Sequence, residues 1–390
     1  MNRIYLDHNA TTPVDPAVLE AMVPFFSGEY GNASSIHTFG QRARAAVETA
    51  REQVASLLNA QPQEIVFTSG ATESDNHAIF GMVQAALAER RSVHVISSTI
   101  EHEAVLNACQ ALEKQGVAVS YLPVNHEGLL DAGQVRRAIR PDTVLATVMQ
   151  ANNELGTVQP IEQIGRIAAK ANIYLHSDAV QAVGKMTVDV KALEVDLLSL
   201  SGHKIYAPKG VGALFVKSGT RVRQFLYGGH HQRGFRPGTE NVAGIVGLGK
   251  AAELARSAVA NDAPRMGRLR DLLEQGLLAR VPDVRVNAGH APRTPNTSNL
   301  AFSGIEGEAL VIALDLKGMA CSTGAACSSG AVEPSHVLTA IGLPATEARA
   351  SIRFSLGRST CEAEIVAALE TVPAAVAQLR ALSPTYRTSG

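Results

Sequence analysis

The chain has 390 residues, of which 46% are hydrophobic and 18% are charged, with 35 basic and 36 acidic side chains. This composition supplies enough apolar surface for a core and indicates a soluble globular protein rather than a disordered one. The net charge of -1 gives no long-range attraction to nucleic acid or to an anionic membrane, so neither is expected as a partner. The length suggests one large domain and a smaller one.

The sequence gives no sign of a membrane span or a secretion signal. Its apolar runs are shorter than the roughly 18 residues of a membrane helix, and the N-terminus lacks an apolar signal segment. The expected location is therefore the cytoplasm. The cysteines are too few for a disulfide framework and form no C-x-x-C pair, so reduced thiols are expected, with one as a candidate for reactivity. They are Cys109, Cys321, Cys327 and Cys361.

Short β-branched runs alternate with segments of helical period, a pattern typical of βα units around a mainly parallel sheet. Helical stripes at 45–59 and 161–171 place apolar side chains three and four positions apart. From about residue 259 the helical pattern becomes charged, and a turn-rich stretch follows at 287–299. The pattern predicts an α/β core with strands at 65–68, 93–97, 144–149, 173–176, 197–200 and 212–216.

Polar residues that follow these strands are the first candidates for a site, because ligands of open parallel sheets bind beyond the carboxyl ends of the strands. The candidates are Ser69 to Thr72, Glu101 with His102, Asn152 with Asn153, Asp178 with Gln181, and Ser201 to Lys204.

Two other motifs do not support a function. The segment GIVGLGKA at 244–251 satisfies G-x-x-x-x-G-K, but Ala251 stands where a P-loop needs a hydroxyl, and no strand precedes it. Glycines of a helix that packs closely against a neighbour are the better interpretation. The adjacent His230 and His231 would need further converging ligands to bind a metal, so a metal-free loop pair is favoured. No strand precedes a G-x-G-x-x-G motif, which argues against a nicotinamide or flavin site.

Chemistry on pyridoxal phosphate needs an amine, an acid for the ring nitrogen and an anion cup, and the candidates include each. Lys204 follows a strand that reads as buried, where a lysine could form the imine. Asp178 could pair with the ring nitrogen, although by itself it is better explained as a helix N-cap. Residues 70–73 open a helix whose free N–H groups suit a phosphate. His102 could stack on a flat cofactor, although a lone histidine is more often simply hydrogen-bonded.

Ten motifs accompany these candidates over nearly the whole chain: YLDHNATTPVDP (5–16), GNASSIHTFG (31–40), FTSGATESDN (67–76), EHEAVL (101–106), NNELGTVQPI (152–161), DAVQAVGK (178–185), SGHKIYAPKGVGAL (201–214), RPGTENV (236–242), STGAACSSGAVEPSHVL (322–338) and SIRFSLGR (351–358). In type and order they resemble the cysteine desulfurases of the NifS and IscS type, in the class V aminotransferase family of fold-type I pyridoxal-phosphate enzymes.

The resemblance implies a fold and a domain division. The large domain, residues 16–258, would carry a mainly parallel seven-stranded sheet and bind the cofactor. A smaller α+β domain would comprise residues 1–15 and 259–390, with a mobile catalytic-cysteine loop at about 321–334.

The resemblance also implies a role for each candidate. Lys204 would form the imine with pyridoxal 5'-phosphate, His102 would stack on the ring and shuttle protons, and Asp178 would pair with the ring nitrogen. The remaining roles are Asn153 and Gln181 near the ring oxygen and substrate, Ala71, Thr72, Ser201 and His203 in the phosphate cup, Arg353 at the substrate carboxylate, and Thr239 at the phosphate of the neighbouring subunit in a homodimer.

Cys327 occupies the position of the family's nucleophile, within a stretch of small residues at 322–330. A free cysteine is more often a small packing residue, but the flanking glycines and serines argue against burial. The implied reaction converts L-cysteine to L-alanine and leaves a persulfide on Cys327. An unidentified acceptor, such as an iron–sulfur assembly protein or a tRNA thiolation component, would receive the sulfur. No metal site is predicted apart from transient iron–sulfur ligation by Cys327, and a relay through Cys321 stays open.

Several alternatives stay open at this point. A selenocysteine lyase or another enzyme of the class V family would share most of these residues. An aminotransferase would keep Lys204 and Asp178 but would have no use for the thiol of Cys327. A non-enzymatic scaffold would not need the cofactor residues at all. The chain departs from the family at 228–232, where GGHHQ replaces the common GGGQE and places two titratable rings near the phosphate loop.

Overall fold

The computed structural model describes residues 3–323, 334–382 and 386. Its strands in chain order are β1 (Ile4–Tyr5), β2 (Ile65–Thr68), β3 (His94–Ser98), β4 (Ala118–Leu122), β5 (Thr143–Thr147), β6 (Tyr174–Asp178), β7 (Leu197–Ser201), β8 (Gly212–Val216), β9 (Val284–Val286), β10 (Thr297–Phe302), β11 (Met319–Ala320) and β12 (Ser351–Ser355).

Its α-helices in chain order are α1 (Pro16–Met22), α2 (Pro24–Ser27), α3 (Thr38–Leu58), α4 (Ala71–Leu87), α5 (Glu103–Glu113), α6 (Ala132–Ala138), α7 (Ile161–Ala171), α8 (Val242–Arg280), α9 (Gly307–Asp315), α10 (His336–Ala340), α11 (Ala345–Arg349) and α12 (Glu362–Leu382).

Seven strands form one sheet, in the order β2-β8-β7-β6-β5-β3-β4. The strands from β7 to β4 in this order run parallel, whereas β8 is antiparallel to both of its neighbours. The predicted mainly parallel seven-stranded sheet is therefore confirmed, and the six predicted strands match within two residues at each end. Sequence reasoning missed β4, because this edge strand is mostly half-buried and has a serine at its centre.

Helices cover both faces of this sheet, as expected for a parallel sheet that is buried on both sides. Successive side chains of a strand point to opposite faces. Ile65 and Phe67 of β2 therefore join a hydrophobic cluster with α3, α7 and the first turns of α8. Val66, between them, joins a second cluster with α4 and α5. The carboxyl ends of the parallel strands remain open between the two helical layers.

The rest of the chain adds two smaller sheets. One is antiparallel, with the order β12-β10-β9, and the other pairs β1 with β11 in parallel. A separate cluster holds buried side chains of β10, β12, α9, α12 and the second half of α8. Leu6, which follows β1, belongs to this cluster, so the N-terminal segment is fixed to the C-terminal part of the chain.

Helix α8 links the two clusters and passes unbroken through the predicted boundary at 258/259. Its buried residues up to Ala252 join the first cluster, and those from Leu269 onward join the cluster of the smaller sheets. The division into 16–258 and 1–15 with 259–390 stays a prediction. Among the described residues, α12 is the one helix long and apolar enough to cross a membrane. Its residues Ile365, Leu369 and Val372 are buried in the cluster of the smaller sheets.

The glycines at 244–249 lie in the first turns of α8, where they allow close helix packing. A methyl group on Gly249 would lie 2.5 Å from the Cα atom of Ala50 in α3, and one on Gly247 would lie 2.6 Å from the sulfur of Met22. This confirms the packing interpretation of the segment that resembles a P-loop. Gly267, farther along α8, has open space around its would-be methyl group.

We expect Gly249→Ala to lower the free energy of unfolding by about 1–3 kcal/mol, because the new methyl group would force α3 and α8 apart. Gly267→Ala is the matched control in the same helix and should raise it by about 0.5–1 kcal/mol through its helix propensity. Urea unfolding followed by circular dichroism measures both. Equal stabilities for the two variants would contradict this account of the glycines.

Candidate active site

A cavity of about 960 Å³ lies at the carboxyl ends of β3, β5, β6 and β7, beside the first turn of α4. The structure brings ten of the predicted site residues into its lining. Among the described residues, Thr239 is exposed and stands outside this lining. Cys327 lies outside the described residues. The ten are Ala71, Thr72, His102, Asn153, Asp178, Gln181, Ser201, His203, Lys204 and Arg353.

One end of the cavity is suited to an anion. Helix α4 begins at Ala71 without a side-chain cap, because its N-cap is Gly70. Gly70 has a φ of 155°, which favours glycine, and a methyl group there would lie 4.0 Å from the Oγ atom of Ser201. His203 is on the same side of the cavity, with its Nδ1 atom 3.1 Å from the Thr11 hydroxyl. Uncapped N–H groups and a nearby hydroxyl are the usual features of a phosphate site at a helix N-terminus.

Lys204 ends the 3₁₀ turn Gly202–Lys204, which directly follows β7. Its Nζ atom donates hydrogen bonds to the main-chain oxygens of Asn9, at 2.5 Å, and Ala10, at 2.7 Å. Burial and, after it, the nearby charge of Arg353 lower the pKa of Lys204 to about 8. Asp178, with a smaller opposing influence, raises it. The amine therefore loses its proton far more readily than an ordinary lysine, as an imine-forming amine requires.

Asp178 is the last residue of β6, and it is buried. Its Oδ1 atom accepts a hydrogen bond of 2.9 Å from the backbone N–H of Val180, so the carboxylate closes a turn as well as lining the cavity. The N-cap interpretation is wrong in its detail, because no helix begins at this turn. Burial raises the pKa of Asp178, whereas the charges of His102 and Lys204 lower it. The Lys204 cation and the Val180 N–H favour the ionised form that a protonated ring nitrogen needs, although burial has the larger effect.

A layer of buried polar groups supports Asp178 from within the sheet. His176, two residues earlier on β6, contacts the hydroxyls of Thr147 at 2.8 Å and Ser199 at 2.9 Å. Burial lowers the pKa of His176 to about 3, so its ring is neutral. Burial also raises the pKa of Glu101 to about 8, although Met149 donates its N–H to this carboxyl group at 2.9 Å. The layer therefore adds little charge of its own at neutral pH.

Arg353, on β12, brings a cation into the cavity from the smaller sheet. Its guanidinium donates to the Oδ1 atom of Asp7 at 2.7 Å and to the main-chain oxygen of Asn153 at 3.0 Å. The Nε atom is buried and has no hydrogen-bond partner among the described residues. A buried N–H group without an acceptor is costly, so Arg353 has hydrogen-bonding capacity that the described residues do not use.

His102 follows β3 and is the N-cap of α5. Its Nδ1 atom accepts a hydrogen bond of 3.1 Å from the N–H of Ala104, which assigns the proton of the neutral ring to Nε2. His102 is therefore a hydrogen-bonded histidine, as the alternative interpretation of the sequence expected. The ring also lines the cavity and is exposed to it, so the capping role leaves its Nε2 side available.

Sequence reasoning assigned no role to Asn9 or Lys185, although both lie in quoted motifs. Asn9 donates from its side chain to the main-chain oxygen of Asn153 at 3.1 Å and to the hydroxyl of Thr297 at 2.9 Å. Lys185 is buried, and its Nζ atom donates to the Asn9 side-chain oxygen at 3.0 Å and to Gln181. Asn9 follows a strand, as the predicted site residues do, but the two-residue β1 was too short to recognise.

Both flanks of residues 324–333 line the cavity. Ser322 on one side exchanges two backbone hydrogen bonds with Arg353, of 2.7 and 3.3 Å. On the other side, the Ser335 hydroxyl donates to the carboxylate of Glu154 at 2.6 Å, and His336 contacts the main-chain oxygen of Glu101 at 2.9 Å. The residues on both sides of 324–333 therefore lie at the edge of the cavity.

The described cysteines differ in their surroundings. Cys109 and Cys321 are buried, and burial raises the pKa of each thiol to about 12. Cys361 is exposed just before α12. Neither buried thiol forms an appreciable fraction of thiolate at neutral pH, so both are suited to packing.

Comparisons with known proteins agree with the fold. The model of the family "Aminotransferase class-V" matches residues 4–367. A cysteine desulfurase of Nostoc sp. strain PCC 7120 is 53% identical over 384 residues, which are 98% of this chain and 95% of that protein. A solved NifS-like protein superposes with a TM-score of 0.90 and 37% identity, over 97% of this chain and 100% of that one. The structure titled "SspA in complex with cysteine" has a TM-score of 0.80 and 39% identity, over 90% and 98%.

An α/β fold with an amine, a carboxylate and a guanidinium group around one cavity is the arrangement of an enzyme that acts on amino acids. The chain belongs to the class V aminotransferase family, as the match over most of its length and the 53% identity to a full-length relative show.

The surroundings of Lys204 lead to a prediction about its titration. In the cofactor-free protein, Lys204 should be half-deprotonated near pH 8. Arg353→Met should raise that midpoint because a neighbouring cation is lost, and Asp178→Asn should lower it because a neighbouring anion is lost. The pH dependence of trinitrophenylation at Lys204, followed by peptide mass spectrometry, gives the midpoint. Shifts of the same sign in both variants would show that charge does not set the pKa.

Proposed function

We propose that the protein is a pyridoxal-phosphate-dependent cysteine desulfurase, which converts L-cysteine to L-alanine and transfers the sulfur to Cys327. The observation that carries this proposal is that Lys204, Asp178 and Arg353 line one cavity beside the uncapped start of α4. The name of the Nostoc relative and the cysteine in the SspA structure support a sulfur substrate over the selenocysteine alternative.

The described residues fit pyridoxal phosphate. The N–H groups at the start of α4, with Thr72, Ser201 and His203, would hold the phosphate, and Lys204 would hold the cofactor covalently. Asp178 would face the ring nitrogen, with His102 against the ring, and Asn153 and Gln181 would lie near the ring oxygen. When bound, the cofactor supplies an electron sink for bonds at the substrate Cα and Cβ atoms.

The chain's own groups orient the substrate and move its protons. Arg353 would bind the substrate carboxylate through the guanidinium edge that carries the unpartnered Nε atom. Lys204, with a pKa of about 8, would accept and return the proton at the Cα atom. His102 carries its hydrogen on Nε2, at the exposed side of the ring, so it would donate a hydrogen bond to the substrate sulfur and stabilise the thiolate while the thiol proton passes to solvent.

Sulfur transfer then needs a thiolate close to the substrate. The sulfur of Cys327 would bond to the substrate sulfur while the substrate Cβ–S bond breaks. Protons return to the Cα and Cβ atoms, so that L-cysteine and one thiol become L-alanine and one persulfide. Both flanks of the segment that contains Cys327 line the cavity, which supports this assignment.

Cys327→Ser should bind the cofactor and L-cysteine but form no persulfide, with sulfide release at least about a hundredfold lower, because a hydroxyl cannot act as a soft nucleophile toward sulfur. Mass spectrometry after one turnover should find an added sulfur on the Cys327 peptide of the unaltered protein. Lys204→Ala serves as a second variant and should lose the covalent cofactor.

The other cysteines provide matched controls. Cys109→Ala, Cys321→Ser and Cys361→Ala should all retain desulfurase activity. If Cys327→Ser stayed active while Cys321→Ser did not, the nucleophile assignment would be wrong, although the cofactor assignment would stand.

We also propose that the active unit is a homodimer whose subunits share their sites. Thr239 is exposed and stands outside the cavity of its own chain, so a role at a phosphate requires a second copy. Large apolar side chains are exposed near the N-terminus as well, including Phe26, Ile36 and the ring pair Tyr30 and Phe39, whose centroids are 5.6 Å apart. Exposed apolar side chains of this size are usual at subunit interfaces.

Mixed dimers test the shared sites. A dimer of one Lys204→Ala chain and one Thr239→Ala chain has both lesions in one site and leaves the other site intact. Refolding the two inactive proteins together should restore about a quarter of the wild-type activity, because half of the dimers are mixed and each has one working site. Activity that stays at the level of the parents would contradict the shared site, as would a fully active monomer in analytical ultracentrifugation.

The persulfide sulfur would pass to an acceptor protein, for iron–sulfur cluster assembly or tRNA thiolation. We place the reaction in the cytoplasm. Transient ligation of an iron–sulfur cluster by Cys327 during delivery belongs to the same proposal. A pull-down with the persulfide form, compared with Cys327→Ser, would identify the acceptor.

A further inference from the structure

Lys185 is a buried lysine that the proposed reaction does not use. It follows β6 by seven residues and is about 5% exposed. The cationic groups that influence it are Lys204 and Arg353, and its own charge acts on His8. Among the described residues, no carboxylate forms an ion pair with it, so its burial costs stability unless another role compensates.

The amine of Lys185 has two acceptors, both amide oxygens. Its Nζ atom donates to the Oδ1 atom of Asn9 at 3.0 Å and to the Oε1 atom of Gln181. Burial and the two neighbouring cations hold the pKa of Lys185 well below that of an ordinary lysine. A neutral amine has two N–H groups, and the two acceptors use both of them.

The contact with Oε1 determines which way the Gln181 amide faces. With Oε1 bound to Lys185, the other end of the amide is its NH₂ group, which donates one hydrogen to the main-chain oxygen of Asn9 at 3.2 Å. Gln181 also lines the cavity. The second hydrogen of this NH₂ group is therefore available to an acceptor in the cavity. A flipped amide would bring its oxygen against the Asn9 carbonyl, so the arrangement with Lys185 is strongly favoured.

We propose that Lys185 is a positioning residue, which holds the Gln181 amide so that the cavity presents a hydrogen-bond donor to the anionic ring oxygen of the cofactor. The inference rests on the proposed function, because it takes pyridoxal phosphate as the ligand. It assigns to Lys185 a role that acts through Gln181 and does not involve contact with the substrate.

A double-mutant cycle tests the coupling of the two residues. Cofactor-free wild type, Lys185→Met, Gln181→Met and the double variant are titrated with pyridoxal phosphate, and the visible absorbance gives the dissociation constant and the band position. Lys185→Met should weaken binding about tenfold, because one buried donor loses its orientation. It should also move the visible band in the same direction as Gln181→Met. In the Gln181→Met background, Lys185→Met should change neither quantity further.

Two further variants keep the test decisive. Lys191→Met removes an exposed lysine six residues away and should leave binding and spectrum unchanged. Lys185→Gln keeps a polar side chain that falls one atom short of the Gln181 oxygen, so it replaces Lys185→Met if that variant does not fold. It should weaken binding to the same extent.

The results that would contradict the positioning role of Lys185 differ from those that would contradict the proposed function. Additive effects of the two substitutions, or an unchanged spectrum in a Lys185 variant that is only less heat-stable, would overturn the positioning role and leave the desulfurase proposal intact. A wild-type protein that binds no pyridoxal phosphate would overturn the proposed function itself.

Discussion

The hydrogen bonds of Asn9 are the constraint on which the active site depends. Its main-chain oxygen accepts hydrogen bonds from Lys204 and Gln181, and its main-chain N–H donates one to the hydroxyl of Ser355. Its side chain forms hydrogen bonds on the side of the large sheet and on the side of the smaller sheet. Asn9 thereby connects Lys204, in the turn that follows β7 of the large sheet, with β12 of the smaller sheet. Because these groups are buried, a lost partner leaves an unsatisfied amide, which costs more than the hydrogen bond itself contributes. The side-chain partners are Asn153, Lys185, Asn296 and Thr297.

Basic and acidic side chains meet in the cavity beside Asn9, where Lys204 and Arg353 lie among several carboxyl groups. Burial lowers the pKa of Lys185 and of Lys204, and Arg353 lowers both further, whereas Asp7 and Asp178 raise the pKa of Lys204. A ligand anion beside Lys204 and Arg353 would relieve the repulsion between these two cations. In the proposed function, the cofactor phosphate at α4 and the substrate carboxylate at Arg353 would supply such anions.

Much of this arrangement could be predicted from the sequence, and there is a physical reason why the rest could not. Strands of a parallel sheet end at one edge, so residues after separate strands, such as His102, Asp178 and Lys204, could be predicted to converge. Asn9 and Lys185 could not, because their contact joins positions 176 residues apart and neither residue type is distinctive by itself. The continuity of α8 could not be predicted either. The sequence carries no signal at the point where a long helix stops packing against one hydrophobic cluster and begins to pack against another.

The surroundings of Cys321 bear on which thiol receives sulfur. This thiol is buried with a pKa of about 12, and the next residue, Ser322, exchanges backbone hydrogen bonds with Arg353. Exposing Cys321 to a persulfide would break that pair and displace the guanidinium that would bind the substrate carboxylate. A relay through Cys321 would therefore compete with substrate binding. The proposed transfer to Cys327 would leave Cys321 buried, and Ser322 and Pro334, on either side of residues 324–333, both line the cavity.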